Sequence, residues 1–343
     1  MKIVEYAPEY AQRLRQALAN TDFEAPLLRR DAYVHHFFLG EPRCRLYLLL
    51  SDDGEVMATL GSERVRIGID GVAYEAAVLS NTYSMREGAF PFLYLHWIKS
   101  CEVGILFPGN ALMRTMLKKQ KRWQSVPGLK TYWLNWNYPP VPDEPLWKAL
   151  LRPVARRLMC VDQEAFARRI ARDTAGQLSV TEERRFSEDM VEPRHGFGFR
   201  LDSDVSHLNW RFRTDLDYVR YRIFRITNST QTAGYVVLAE WPHCVVVSHC
   251  DGDDPEQLAL GVLLAIATLN RGEHRYRTAL LTSMHETMQS TFGRFGFRPD
   301  GREAPFAVAA LGNRTITFKP GSHWLVNMDL GDSGTMAGMV PQK

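Results

Sequence analysis

Ser84-Met85-Arg86-Glu87-Gly88-Ala89-Phe90-Pro91 joins a strand to a helix, and the architecture follows from that junction. An apolar and aromatic strand over 74–83 runs into it. Glycine followed by proline marks a turn into a helix, because proline is tolerated in a helix's first turn, where its missing N–H has no partner. The pattern then predicts an apolar helix over 92–101, a buried strand over 103–107, a second helix from Asn110, and Trp123. The same order recurs later. A strand over 245–250 enters Asp251-Gly252-Asp253-Asp254, and a helix over 256–271, a strand over 278–282, a helix from His285 and Gly296-Phe297 follow.

The rest of the chain frames two units. Residues 2–6 read as a strand, 10–19 as a helix behind Pro8, 23–39 as partly helical and 45–50 as a strand. Asp52-Asp53-Gly54 and Gly68-Ile69-Asp70-Gly71 are hairpin turns that flank a strand over 55–67. Residues 129–136 form one more strand. Tyr138-Pro139-Pro140-Val141-Pro142 continues neither strand nor helix and sets a boundary. A helix over 146–159 carries Lys148, Arg152, Arg156 and Arg157, read as the solvated face of a linker. A second unit begins at Ser179, with a hairpin over 218–241 and a final strand over 323–330. The expected units are therefore 1–138, a boundary with linker helices over 139–178, 179–331, and a flexible tail over 332–343. Antiparallel meanders feeding crossover helices make the class α/β (α+β), with mixed sheets.

Composition bounds the function. The chain has 343 residues, 45% hydrophobic and 24% charged, with a net charge of +3. That charge is too small to argue for a polyanionic partner, so no nucleic acid is expected. Five cysteines, without C-x-x-C spacing, speak against a disulfide framework or structural zinc and for a reducing compartment. The N-terminus lacks a signal-peptide run, and the longest apolar run, 258–269, is about half a bilayer span. A cytoplasmic protein with no membrane span is the expectation. The sequence contains no Gly-x-Gly-x-x-Gly after an early strand, no Walker-type Gly-Lys-Ser/Thr, no His-Glu-x-x-His and no Gly-x-Ser-x-Gly.

These residues resemble the GNAT (GCN5-related N-acetyltransferase) superfamily of acyl-CoA N-acyltransferases in a tandem arrangement. In the first half the resemblance rests on the 84–91 turn and on Phe107-Pro108-Gly109-Asn110; in the second, on His207-Leu208-Asn209-Trp210-Arg211-Phe212, Gly234-Tyr235-Val236-Val237, Trp324 and Met328-Asp329. The second half is also similar to relatives found beside polysaccharide genes. The resemblance implies two GNAT-like domains, each a mixed, mostly antiparallel twisted sheet flanked by helices. It implies acetyl-CoA or another acyl-CoA as co-substrate and a small-molecule amine or amino sugar as acceptor. In the family, pantetheine lies where the strand before the turn splays from its neighbour, and the turn's N–H groups, at a helix N-terminus, face the pyrophosphate. Here that assigns Ser84, Met85, Arg86, Gly88, Ala89 and Asn110 to the cofactor. The family's Arg/Gln-x-x-Gly-x-Gly/Ala pattern is kept in part: the glycine comes one position early, with an acid at Glu87 and a donor lost to Pro91.

The second turn differs. Three carboxylates beside a pyrophosphate repel it, so the second half is expected to bind no CoA. Asp254 is expected to cap the following helix, behind Pro255. The acids do not have EF-hand spacing, and no metal is expected. Thioester aminolysis needs a neutral amine, a stabilised oxyanion and an acid for the thiolate. The tyrosine that relatives use as this acid aligns with Phe292 in the second half and with 117–118 in the first, so its role does not carry over. The candidates are Tyr83, Glu87, His96 and His249, with Asp251 beside the last. His96, next to Trp97, reads equally as a packed core histidine, and Cys250 as an inert small apolar residue. Tyr132, Trp133, Trp136 and Tyr138 suit a stacking wall for a sugar or a strand's core residues. Two further classes share the element order: an aminoacyl-tRNA-dependent transferase, which needs a basic track, and a non-catalytic binding protein built from a decayed tandem. A homodimer stays open.

Overall fold

The computed structural model describes the chain except for 22–26, 108–112, 137–152, 193–195, 272–275, 304–305, 312–315 and 331–343, and the single positions 114, 116, 118, 155, 156, 158, 230, 242, 317, 319, 320 and 322. Asn110, Tyr138, most of the basic linker helix and the tail therefore lie outside the described residues.

The first sheet is built from β1 (Lys2–Glu5), β2 (Cys44–Leu50), β3 (Val56–Ile69), β4 (Val72–Ser84), β5 (Val103–Leu106) and β6 (Trp123–Ser125). The second contains β7 (Lys130–Asn135), β8 (Leu178–Glu183), β10 (Arg220–Asn228), β11 (Thr232–Trp241), β12 (Cys244–Gly252), β13 (Thr278–Ser283) and β14 (Arg298–Glu303). Two short strands, β9 (Phe199–Leu201) and β15 (Ala307–Ala310), complete the first sheet. The helices are α1 (Ala11–Ala19), α2 (Asp31–Phe38), α3 (Phe90–Trp97), α4 (Gln163–Thr174), α5 (Val205–Arg211), α6 (Pro255–Asn270) and α7 (Glu286–Arg294). Each sheet is antiparallel but for one parallel contact: β4–β5 in the first, β12–β13 in the second.

The sheets do not follow chain order. The first runs β1-β2-β3-β4-β5-β15-β6, with β9 beside β3, and the second β14-β7-β13-β12-β11-β10-β8. Lys130–Asn135, expected in the first unit, pairs with Thr278–Ser283 of the second. In return, Ala307–Ala310 enters the first sheet between β5 and β6. The strand expected over 323–330 does not form; the segment meets the first sheet through a bridge from Trp324 to Phe199.

The apolar run of β2 reads continuously because both faces are covered. Leu46, Leu48 and Leu50 face α1 and α2, in one core cluster with Ile223, Tyr235, Val237 and Val246 of the second sheet. The halves thus share a core. Tyr47 and Leu49 point the other way, toward Leu93, Tyr94 and Trp97 of α3. The predicted helix over 92–101 begins two residues earlier and ends at Trp97, where the N–H of Ser100 turns back to its carbonyl. On the second sheet α6 buries eleven of its sixteen residues, which makes it a central helix rather than an amphipathic surface one.

Candidate functional site

The two parallel contacts set the geometry, because each breaks off early. Ala76–Val78 pair with Val103–Ile105, and Cys244–Val246 with Thr278–Leu280. Among the described residues, the longer strands run on without a strand partner on that side beyond Val78 and Val246. Each carries a bulge just there, which bends a strand away from its neighbour. In β4 the register with β3 slips between Gly61↔Ser80 and Thr59↔Tyr83; in β12 it slips between Leu238↔Val247 and Val237↔His249. The first bulge is tight. Asn81 sits at φ +47°, its carbonyl accepts from Thr59 Oγ1 at 2.8 Å, and its Nδ2 donates to Tyr33 Oη at 2.9 Å. Opposite it, a Cβ on Gly61 would lie 2.7 Å from Ser80 Oγ, so only glycine fits.

The 84–91 turn closes on itself and leaves part of its backbone outside. The amides of Met85 and Arg86 both donate to Met57 O (2.9 and 3.1 Å), and that of Ala89 to Arg86 O at 3.2 Å. Ser84 Oγ also donates to Arg86 O, at 2.7 Å. Those groups, each assigned to the cofactor by resemblance, are spent on the turn. Among the described residues nothing accepts from the amides of Glu87 or Gly88. Gly88 is exposed, at φ +76°, with nothing within 4 Å of where a Cβ would stand. No side chain caps α3, and Pro91 occupies its second position rather than its first. The Arg86 guanidinium pairs with exposed Glu55, a contact worth about 0–1 kcal/mol.

Of the catalytic candidates, Tyr83 and Glu87 stand at this turn, half-buried and exposed respectively. His96 is not a core histidine: it is exposed, with its ring edge-on to Tyr47 at 5.0 Å. It lies near the far end of α3, about 9 Å along the axis from the helix start. His249 is 1% exposed and committed at both ring nitrogens, to Asp329 Oδ1 (2.9 Å) and Tyr235 Oη (3.0 Å). That geometry takes it out of a substrate's reach.

The second turn is closed. Asp254 caps α6 as expected, its Oδ1 accepting from Gln257 N at 2.7 Å. Asp251 is buried against Arg200 at 2.9 Å rather than repelling a ligand. The backbone of Gly196 presses so close that a Cβ there would fall 1.7 Å from Asp253 O. The gap beside β12 is filled by the chain itself. Asp329 N donates to Ser248 O at 3.1 Å. Asn327 Oδ1 accepts from Cys250 N at 3.0 Å, and its Nδ2 donates to Cys250 O at 3.1 Å. An asparagine amide thereby imitates a strand partner, which satisfies buried backbone groups that would otherwise each cost about 1–3 kcal/mol. Burial pushes the Cys250 thiol well up, in keeping with an inert residue.

Behind this closure runs a buried ionic network that sequence reasoning missed. Arg211, on α5, donates through Nε to Asp329 Oδ2 at 3.1 Å and through Nη1 to Glu63 of β3. His207 Nε2 meets Glu63 Oε1 at 3.1 Å, and its Nδ1 meets Ser203 Oγ at 3.0 Å. Burial alone would raise the Asp329 and Glu63 carboxyls; their partners, His249 for Asp329 and Arg211 for Glu63 above all, outweigh it and hold both below the usual range. The signals were present as a lone Glu63 in its strand and as Asp329 after Leu325-Val326-Asn327-Met328, but their partners lie 80 to 148 positions away.

Comparison with solved structures agrees with this architecture. A conserved protein of Enterococcus faecalis matches 90% of this chain and 71% of its own, at TM-score 0.55 and 9% identity. GCN5-related N-acetyltransferases from Anabaena variabilis (TM-score 0.52, 11% identity, 91% of this chain and 73% of that one) and Kribbella flavida (0.50, 13%, 90% and 72%) match similarly. No protein-family model and no curated protein matches the sequence. The fold is that of the GCN5-related N-acetyltransferases. The chain carries two mostly antiparallel sheets with flanking helices. Among the described residues no helix is long and apolar enough to cross a membrane, and no three His, Cys, Asp or Glu side chains gather as metal ligands.

Proposed function

We propose that the protein is an acyl-CoA-dependent N-acyltransferase that takes its donor in the first half only and passes the acyl group to the amine of a small molecule or amino sugar. One contrast carries the reading: of two equivalent splays, the first ends in an exposed turn with unspent amides, and the second is occupied by Asn327 and Asp329. The residues of the first turn fit a phosphorylated carrier. Gly88 leaves room for close approach, the Glu87 and Gly88 amides have no other acceptor among the described residues, and uncapped α3 presents about half a positive charge. Acetyl-CoA, when bound, supplies the activated thioester. The chain's part is to hold the phosphates, seat pantetheine along β4 beyond Val78, and present the acceptor beside Tyr83. Tyr83 and Glu87 are the side chains placed to exchange a proton with the acceptor amine.

Titration calorimetry of the full chain with acetyl-CoA tests this. The expected outcome is one site per chain, with slowed hydrogen exchange at the 87–90 amides. Absence of heat together with unchanged exchange over 84–92 overturns it.

A further inference from the structure

The bulge in β4 is strained where the one in β12 is not. Asp70 and Asn81 are the non-glycine residues at positive φ among those described, and Asp70 stands in the turn between β3 and β4. Asn81 stands inside a strand and is buried. A left-handed residue is unfavourable there, and asparagine is one of the few side chains that tolerate it. The bulge of β12, at Ser248, has no residue at positive φ. A bulge at this point of the sheet therefore does not require the strain. Strain of this kind persists only where the surroundings hold it, and it gathers at functional sites.

Neighbouring side chains hold Asn81 in place. Its carbonyl accepts from Thr59 Oγ1 at 2.8 Å, and its Nδ2 donates to Tyr33 Oη at 2.9 Å and to Ser80 Oγ at 3.2 Å. Thr59 and Tyr33 are themselves buried. Tyr33, on α2, stands edge-on against Tyr218 of the second half, with ring centres 5.5 Å apart. The Asn81 carbonyl is thus tied toward β3, the strand that carries Thr59. In a trans peptide the next N–H points the opposite way. Thr82 N–H is therefore turned toward the side on which pairing with β5 stops at Val78.

We propose, on the reading that the first half takes an acyl-CoA, that Asn81 and Tyr33 are positioning residues for acyl transfer. Their contact fixes the Asn81–Thr82 peptide so that Thr82 N–H donates to the thioester oxygen of the donor. An N–H already in place stabilises the negative charge that grows on that oxygen as the amine attacks. Asn81 and Tyr33 act through the backbone they hold.

The test uses acetyl-CoA carrying 13C at the thioester carbonyl, bound to the full chain, with CoA for comparison. The carbonyl resonance is expected to move downfield on binding, as it does when the oxygen accepts a hydrogen bond. Asn81→Gly accepts the same φ but lacks the amide, and Tyr33→Phe keeps the ring but lacks the hydroxyl. Each should lose at least about half of that movement, while CoA binds within about threefold of the parent. The double variant should lose no more than either single one, because the two side chains form one contact. Either single variant suffices if the other does not fold. Variants that keep the full movement overturn the proposal, even with a lowered melting temperature, which is the result for a purely structural contact. If the parent binds neither CoA nor acetyl-CoA, the donor reading fails and the proposal with it. If it binds both and the carbonyl resonance stays at its free position, the proposal alone fails.

Discussion

The first splay and the second are built alike and finished differently. Both have a long strand with a bulge, a three-pair parallel contact, and a turn into a helix. In the first, the helix start lacks a side-chain cap and the turn is exposed. In the second, Asp254 caps the helix, Arg200 neutralises Asp251, and Asn327 takes the strand partner's place. The strand, turn and helix keep their shape in both halves because the sheet and its core need it. The end of the strand and its turn are where the two differ, one left open and the other closed by the chain itself.

The contrast can be broken most severely at Arg211. Arg211→Met leaves Glu63 and Asp329 buried without their cation and should cost about 3–5 kcal/mol in urea unfolding, loosening the Asn327–Asp329 closure. Acid should act on the same contacts. Asp329 and Glu63 titrate lower in the folded protein than in the unfolded chain, so the native state binds fewer protons. Their contribution is complete above the unfolded values near pH 4 and drains away as pH falls through the depressed folded ones. Urea midpoints of the parent should drop steeply below about pH 4.5, and those of Arg211→Met less so.

At the first turn, Gly88→Asp places a carboxylate where the phosphates are expected and forces a side chain into φ +76°. It should weaken acetyl-CoA at least tenfold, about 1.4 kcal/mol, by calorimetry, with little change in melting temperature. Gly252→Asp, on the closed side, brings a Cβ to 2.8 Å from the Ala233 carbonyl and should cost stability, while the folded variant keeps that affinity unchanged. The mildest expectation concerns the cap: Asp254→Ala should cost about 1 kcal/mol of stability and no acetyl-CoA affinity, which would sharpen the view that this aspartate serves the helix alone.

Much of this frame was legible in the sequence. Strands, hairpin turns and the Asp254 cap are local, and local chemistry marks them: Asp70 and Gly71 at positive φ, Pro255 after the cap. At the second turn the acids were expected to repel a pyrophosphate, with Asp254 capping the helix. The cap is there, but the closure was not foreseen: Arg200 neutralises Asp251 and a distant segment fills the gap beside β12. What was not legible is long-range. Ala307–Ala310 is four small apolar residues with no periodicity to read, and nothing nearby says that it belongs to the other sheet. Which turn amides would be spent internally also depended on Met57 O, nearly thirty residues away.

The exchanged strands set a schedule for making the protein. Lys130–Asn135 leaves the ribosome long before Thr278–Ser283, its neighbour, and stays an unpaired apolar strand until then. The first sheet likewise waits for Ala307–Ala310 to lie between β5 and β6. Neither half is complete when synthesised alone, so cutting the chain at its proline-rich middle should yield two fragments that are each deficient and recover their shape only together.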